Sequence, residues 1–267
     1  MANRKRVIFC TYPSLYSSLV LKELIDSDCI DVVAIVSSTR VLYPKYGQIR
    51  GSLEQIKLSG LRYATYLFLV TDFFSWMQPL LTLKRKRLKT VCGLAAEFNI
   101  PILNTKDINQ NESLEFIKGH ASNYLLAAHF NQLIKPELLN FTELECINIH
   151  PSLLPSYKGV DPVFFAQLNQ ENEMGVTLHK MAEAFDTGEI LSQTSLLVSQ
   201  NDSTFLINKA LFIKGAKLSI SWMCGRAKNA ATIDTSRDNY DSWPTPQQVT
   251  QFKKAGRYLI KFPELWQ

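Results

Sequence analysis

"RVIFCTYPSLYSSLVLKELIDSDCIDVVAIVSS", residues 6–38, sets the fold class. Its first seven residues are an apolar run of strand length, and "DVVAIVSS" (31–38) is a second. Between them "SLYSSLVLKELI" (14–25) spaces Leu15, Leu19, Leu21 and Leu24 to suit one helix face. Strand, helix and strand in this order form a β-α-β unit, and strands that are continuously apolar are those covered on both faces.

The alternation continues down the chain. "TVCGLAAEFNI" (90–100), "NESLEFIKGH" (111–120) and "DPVFFAQLNQ" (161–170) read as helices. "NYLLAAHF" (123–130), "ECINIH" (145–150), "MGVTLHKM" (174–181) and "EILSQTSLLV" (189–198) read as strands. An α/β fold follows, a mostly parallel sheet with helices on both faces. Ligands of such open sheets bind beyond the carboxyl ends of the strands, which nominates Asn148 and His150 at the end of "ECINIH".

After residue 200 the pattern turns helical. "DSTFLINKALFIKGAKLSISWMCGRA" (202–227) reads as one long amphipathic helix capped by Asp202 or Ser203. "WPTPQQVTQFKKAG" (243–256) carries Thr245 as N-cap, Pro246 at the first helical position, Gln248 closing a capping box and Gly256 as the stop. We therefore divide the chain into a main domain, 1–200, and a small helical extension, 201–267.

Composition narrows the class. A chain of 267 residues is long enough to bury a sizeable core. Twenty-nine Lys and Arg against 24 Asp and Glu give a formal net charge of +5, which suits an anionic small molecule. It falls short of the dense basic stripe of nucleic-acid binders, so such a partner is disfavoured. Cys10, Cys29, Cys92, Cys146 and Cys224 are odd in number, scattered and without a C-x-x-C pair, so neither a disulfide framework nor a zinc site is expected. A reducing, cytoplasmic setting fits. The apolar run after the basic start "MANRKR" is too short for a secretory signal.

One region departs from the layout. An insertion at about 45–90 contains "GLRYATYLFLVTDFFSWMQPLL" (60–81) followed by "KRKRLK" (84–89). The apolar stretch is about as long as a membrane span, yet Arg62 and Asp72 fall within it and Pro79 ends the helix. Tyr63, Tyr66, Phe68, Phe73, Phe74 and Trp76 are too many aromatics to leave in water. An inserted helix packed on the domain or at a homodimer contact is expected, with peripheral membrane contact through 61–81 disfavoured.

Asn148 and His150, at i and i+2 of a strand, point to one face and can converge on one reacting atom. An imidazole moves protons near neutral pH and an amide N–H stabilises an oxyanion, which are parts of acyl-transfer chemistry. No G-x-S-x-G elbow and no nearby cysteine nucleophile is present, so direct attack by the substrate's own nucleophile is the simpler chemistry. Downstream, "GVTLHKMAEAFDTGEIL" (175–191) puts Asp186 in a turn between two strand-like runs, where a carboxylate can orient an imidazole.

Asn148-x-His150-Pro-Ser-Leu-Leu-Pro155-x-Tyr-Lys-Gly159, then Pro162, Gly175-Val-Thr-x-His179 and Asp186-Thr-Gly188-x-Ile190-Leu191 together resemble the signature of the N10-formyltetrahydrofolate-dependent formyltransferases. The resemblance is strongest over 124–197. It implies a Rossmann-like catalytic domain, an enzyme using N10-formyltetrahydrofolate as formyl donor without a metal, and a catalytic triad of Asn148, His150 and Asp186. It also implies a folate pocket built largely from backbone at His129, Phe130, Asn131, Gln132, Leu133 and Ile134, and at Met181, Ala182, Glu183, Ala184 and Phe185. His129 and His179 show no metal-ligand spacing and are read as structural or pocket-lining.

Branches of that family differ in what they add. Its purine-pathway members carry a glycine-rich phosphate loop after the first strand, where "CTYPSLYSS" (10–18) has no glycine. Its initiator-tRNA members append a β-barrel domain, whereas residues 201–267 read as largely helical. Its hydrolases carry an N-terminal regulatory domain, for which "RVIFCTY" begins too early. What remains resembles the compact sugar-nucleotide N-formyltransferases and the formyltransferases of small-molecule biosynthesis, with a primary amine of a small molecule as expected acceptor and an amino-sugar nucleotide favoured. A methionyl-tRNA formyltransferase-like enzyme, a formyltetrahydrofolate hydrolase and a non-catalytic folate-binding relative are the alternatives.

Overall fold

A computed structural model of the chain describes residues 4–40, 47–76, 88–141, 143–226, 238–261 and 263–264. Its elements are β1 (Lys5–Thr11), α1 (Leu15–Asp26), β2 (Ile30–Ser38), α2 (Gly47–Phe68), α3 (Val91–Glu97), β3 (Ile102–Thr105), α4 (Asn111–Gly119), β4 (Tyr124–Ala128), α5 (Pro136–Leu139) and β5 (Glu145–His150). They continue with β6 (Lys158–Gly159), α6 (Pro162–Leu168), β7 (Glu173–Lys180), β8 (Ile190–Leu197), α7 (Thr204–Met223), β9 (Tyr240–Asp241) and α8 (Pro246–Lys254).

The main sheet has seven strands in the order β3-β2-β1-β4-β5-β7-β8. From β3 to β5 all neighbours are parallel, and β7 and β8 add an antiparallel edge. Side chains alternate across the parallel strands, so the two faces build two cores. Val7, Phe9, Leu126, Ile147 and Ile149 join Val20 and Leu21 of α1, Phe164 of α6 and Leu211 of α7. On the opposite face Ile8, Cys10, Val36, Leu125 and Ala127 join Leu114 and Ile117 of α4 and Leu138 of α5. The expected mostly parallel sheet with helices on both faces is what forms.

Several local expectations shift. α1 buries Tyr16, Ser17, Ser18, Val20, Leu21 and Leu24, while Leu15 and Leu19 are only half-buried, because the helix is covered by α7 as well as by the sheet. The four-residue strand β3 has no counterpart in the sequence reading: "ILNT" is too short to show a period, and the helix before it ends at Glu97, ahead of Asn99 at φ 53°. Ser203, not Asp202, caps α7 through its hydroxyl and the Leu206 N–H. The capping box of α8 forms as expected, with Pro246 in its first turn and Gly256 at φ 74° beyond its end.

The cysteine expectation is overturned at one pair. Cys29, just before β2, and Cys224, the C-cap of α7, form a disulfide across 195 residues, with Cα atoms 6.4 Å apart. Packing of α7 along α1 brings the end of one helix beside the exit of the other, a proximity that spacing in sequence does not reveal.

The inserted segment is covered largely by the chain itself. α2 is interrupted at Gly60, whose φ of 82° and ψ of 157° only glycine adopts readily, and the helix beyond passes through one wider turn, Leu69–Phe73, to Trp76. Tyr63, Tyr66 and Val70 are buried in the first core cluster, where Tyr63 meets Phe164 and Trp243 edge-on, and Phe74 is buried beyond them. Leu61 and Phe68 stay 67% and 39% exposed on the other side, the side for which the sequence reading asks a second cover. Pro79 and the basic residues 84–87 lie outside the described residues. No helix among the described residues is long and apolar enough to cross a membrane.

Candidate active site

β5 ends at His150 on the carboxyl side of the sheet, and Asn148 lies two residues back on the same face, the face of the second core cluster. β7 runs antiparallel beside it, pairing Asn148 with His179 and His150 with Thr177. Thr177 fixes the loop that leaves His150: its hydroxyl donates to the Ser152 carbonyl at 2.6 Å and accepts from the Leu154 N–H at 3.0 Å. The Leu154–Pro155 peptide of that loop is cis.

Asp186 closes the arrangement from the loop after β7. Its side chain is 8% exposed, with Oδ1 3.4 Å from His150 Nδ1 and 3.6 Å from His179 Nε2. Oδ2 accepts the Gly159 N–H at 2.9 Å. The other ring nitrogen of His150, Nε2, donates to the Tyr157 carbonyl at 2.9 Å. Each ring nitrogen of His150 thus faces an oxygen acceptor, and the two contacts fix the ring's orientation.

His179 is the member of the cluster that the sequence reading did not place in the chemistry. Its Nδ1 lies 2.7 Å from the Lys180 carbonyl, which only accepts, so that nitrogen carries the proton. Nε2 then accepts from Asn148 Nδ2 at 3.0 Å. Burial, followed by the nearby His150, pushes its pKa down to about 4 against the opposing pull of Asp186. The ring is therefore neutral near pH 7 and acts as an acceptor that orients the Asn148 amide. "GVTLH", ending one residue short of the end of β7, was the available signal, but only the β5–β7 register turns it into a contact.

The two segments assigned to folate flank the same face. Phe130 and Met181 both pack against the second core cluster. Asn131 accepts from the Ser38 hydroxyl at 2.6 Å and donates to the Arg40 carbonyl at 3.0 Å. Gln132 is buried, accepting from the Ile108 N–H and donating to Ser38 Oγ. These side chains fasten the segment to the carboxyl ends of β2 and β3. His129, at φ 52°, is held by Tyr12, whose N–H donates to its carbonyl at 2.9 Å, and burial lowers its pKa. Ile134 is buried and Leu133 is 36% exposed. In the second segment Ala182 is half-buried, Glu183 and Ala184 are exposed, and Phe185 is 45% exposed.

A groove of about 630 Å³ lies elsewhere, at the amino ends of β4 and β5, where Lys5, Tyr124, Glu145 and Lys180 line it. Met181 alone connects it to the segments above, and its place at the opposite strand ends from His150 removes it from the chemistry of the cluster. A smaller cavity of about 110 Å³ sits behind the loop after β5, against Ser152, Tyr157 and Glu171.

An open parallel sheet that gathers an amide, an imidazole and a carboxylate at one strand end defines an α/β protein of the group-transfer type. The family model described as formyl transferase matches residues 53–221, and the chain belongs to that family. A methionyl-tRNA formyltransferase from Lysinibacillus sphaericus is 32% identical over 171 residues, covering 62% of this chain and 55% of its own. The chain thus spans about half the length of the curated relatives it matches. Among solved structures, a sugar 3N-formyl transferase crystallised with dTDP and 5-N-formyl-THF superposes with a TM-score of 0.53 at 20% identity, over 90% of this chain and 70% of that one. A phosphoribosylglycinamide formyltransferase from Anaplasma phagocytophilum gives 0.54 at 18%, over 90% and 99%. At those identities the superpositions speak for the fold.

Proposed function

We propose that the chain transfers a formyl group from N10-formyltetrahydrofolate to the primary amine of a small-molecule acceptor, an amino-sugar nucleotide. The convergence of Asn148, His150 and Asp186 at the carboxyl end of β5 carries this reading. Asn148, its amide held by His179, directs an N–H at the formyl oxygen as negative charge builds there. His150 relays the proton of the attacking amine towards N10, whose bond to the formyl carbon breaks as the new amide forms, while Asp186 holds the ring. Aligning donor and amine contributes the rest.

The donor is read as lying between 129–134 and 181–185, its N10 towards His150. Leu133 and Phe185 offer exposed apolar surface that a flat heteroaromatic ring covers, and the tethering of Asn131 and Gln132 to Ser38 gives that backbone a fixed shape.

Two features around the site support this acceptor. After the first strand, Tyr12 donates its N–H to the His129 carbonyl where the purine-pathway members have a glycine-rich phosphate loop. The described part of 204–264 packs α7 and α8 onto the sheet and the inserted helix instead of forming a barrel. Sequence similarity favours a second reading, an initiator-tRNA acceptor, because the curated relatives carry that activity in their names. Incubation with N10-formyltetrahydrofolate and either pooled amino-sugar nucleotides or charged initiator tRNA, followed by tetrahydrofolate release, separates the two. Release with the nucleotides alone is expected; release with tRNA alone selects the second reading, and release with neither overturns both acceptor readings.

A further inference from the structure

Three alternating residues after the site's loop, Tyr157, Gly159 and Asp161, all have positive φ, at 59°, 98° and 46°. Such backbone is unfavourable for side chains other than glycine and persists only where neighbours hold it. Each of the three reaches a different neighbour. Tyr157 gives its carbonyl to His150 Nε2, and Gly159 gives its N–H to Asp186 Oδ2. Asp161 turns away from the site and accepts from the Tyr63 hydroxyl at 2.7 Å, while its other oxygen caps α6 through the Phe164 N–H.

Tyr63 is well placed to hold that carboxylate. Its side chain is fully buried, fixed edge-on by Phe164 and Trp243. One helical turn on, the Tyr66 hydroxyl lies 2.8 Å from that of Tyr16, tying the same helix to α1. Burial raises the Asp161 carboxyl above its usual range and the Tyr63 bond offsets part of this, so the contact favours the charged form that also accepts from Phe164.

We propose that Tyr63 is a positioning residue for the site: through Asp161 its hydroxyl sets the 157–161 stretch against which both His150 and Asp186 rest. The inserted helix then serves the site rather than merely covering the domain. The inference rests on reading His150 and Asp186 as the working pair.

Tyr63→Phe removes one oxygen and keeps the ring packing. Titrating the His150 ring by NMR in the wild type, Tyr63→Phe and Asp186→Asn reads the geometry without any substrate; His179 and Asp186 are the titratable groups facing it. The chain has 4 histidines, so assignment by single substitution is direct. We expect the His150 midpoint to move in Tyr63→Phe in the same direction as in Asp186→Asn but by less. Turnover should fall about tenfold at unchanged donor KM. A midpoint that stays put in Tyr63→Phe overturns the positioning role, whatever Asp186→Asn does. Absence of movement in Asp186→Asn instead strikes the reading of the pair itself. Asp161→Asn, which keeps shape and an acceptor for Phe164, carries the same expectation and the same overturning result should Tyr63→Phe fail to fold.

Discussion

Asn148 and His179 face each other directly across the antiparallel β5–β7 pair, with Asn148 Nδ2 3.0 Å from His179 Nε2. The contact settles which way round the amide sits. Because His179 Nδ1 is committed to the Lys180 carbonyl, Nε2 has only a lone pair to offer, and the amide must present its N–H side to it. One N–H of Asn148 is thereby spent on orientation and the second is aimed by it.

That makes His179 separable from the triad by substitution. His179→Gln can still accept from Asn148 and should keep most of the turnover, whereas His179→Leu should lose about tenfold in kcat at unchanged donor KM. Steady-state rates of tetrahydrofolate release check this, and equal rates in the two variants would remove the orienting role.

His150→Ala should cost about 10²–10⁴-fold in turnover, the usual range for an acid-base group, with donor binding near normal. Asp186→Asn should be similarly severe, since Asp186 touches His150 directly. Single-turnover rates together with donor titration by fluorescence separate binding from chemistry. A His150→Ala protein keeping more than about a tenth of the rate would sink the assignment.

The neutral state of His179 gives the fold a pH dependence of definite sign. Its folded pKa of about 4 lies below the ordinary value of 6.5. Between those values the unfolded chain binds the proton and the folded one does not, so stability falls as pH drops from 6.5 towards 4. A shift of this size corresponds to roughly 3 kcal/mol. Urea midpoints at pH 7 and pH 4.5 should therefore differ more in the wild type than in His179→Gln.

Gly188 should not tolerate a side chain. A Cβ there would sit 1.8 Å from the Lys180 carbonyl oxygen, the same oxygen that fixes the His179 tautomer. Gly188→Ala must displace that carbonyl or the loop carrying Asp186, and should cost on the order of 1–3 kcal/mol as well as most of the activity. Thermal melts alongside rates test both halves; a variant with wild-type melting and turnover would show that the loop yields freely.

Much of this molecule is written locally. The β-α-β alternation of 6–38, the capping box of Thr245 and Gln248 and the one-face placement of Asn148 and His150 each depend on residues within one element or its immediate flanks, where helix and strand periods act directly. Tertiary structure decided the rest. His179 joins the cluster through a strand register that spans 31 residues, Tyr63 reaches Asp161 across 98, and Cys29 meets Cys224 across 195. The short strand β3 exists because β2 offers it an edge, not because "ILNT" shows a period of its own. Local propensity fixes most of the longer elements, but short strands such as β3 and the meeting of side chains depend on how sheet twist, register and helix packing stack elements that the sequence keeps far apart.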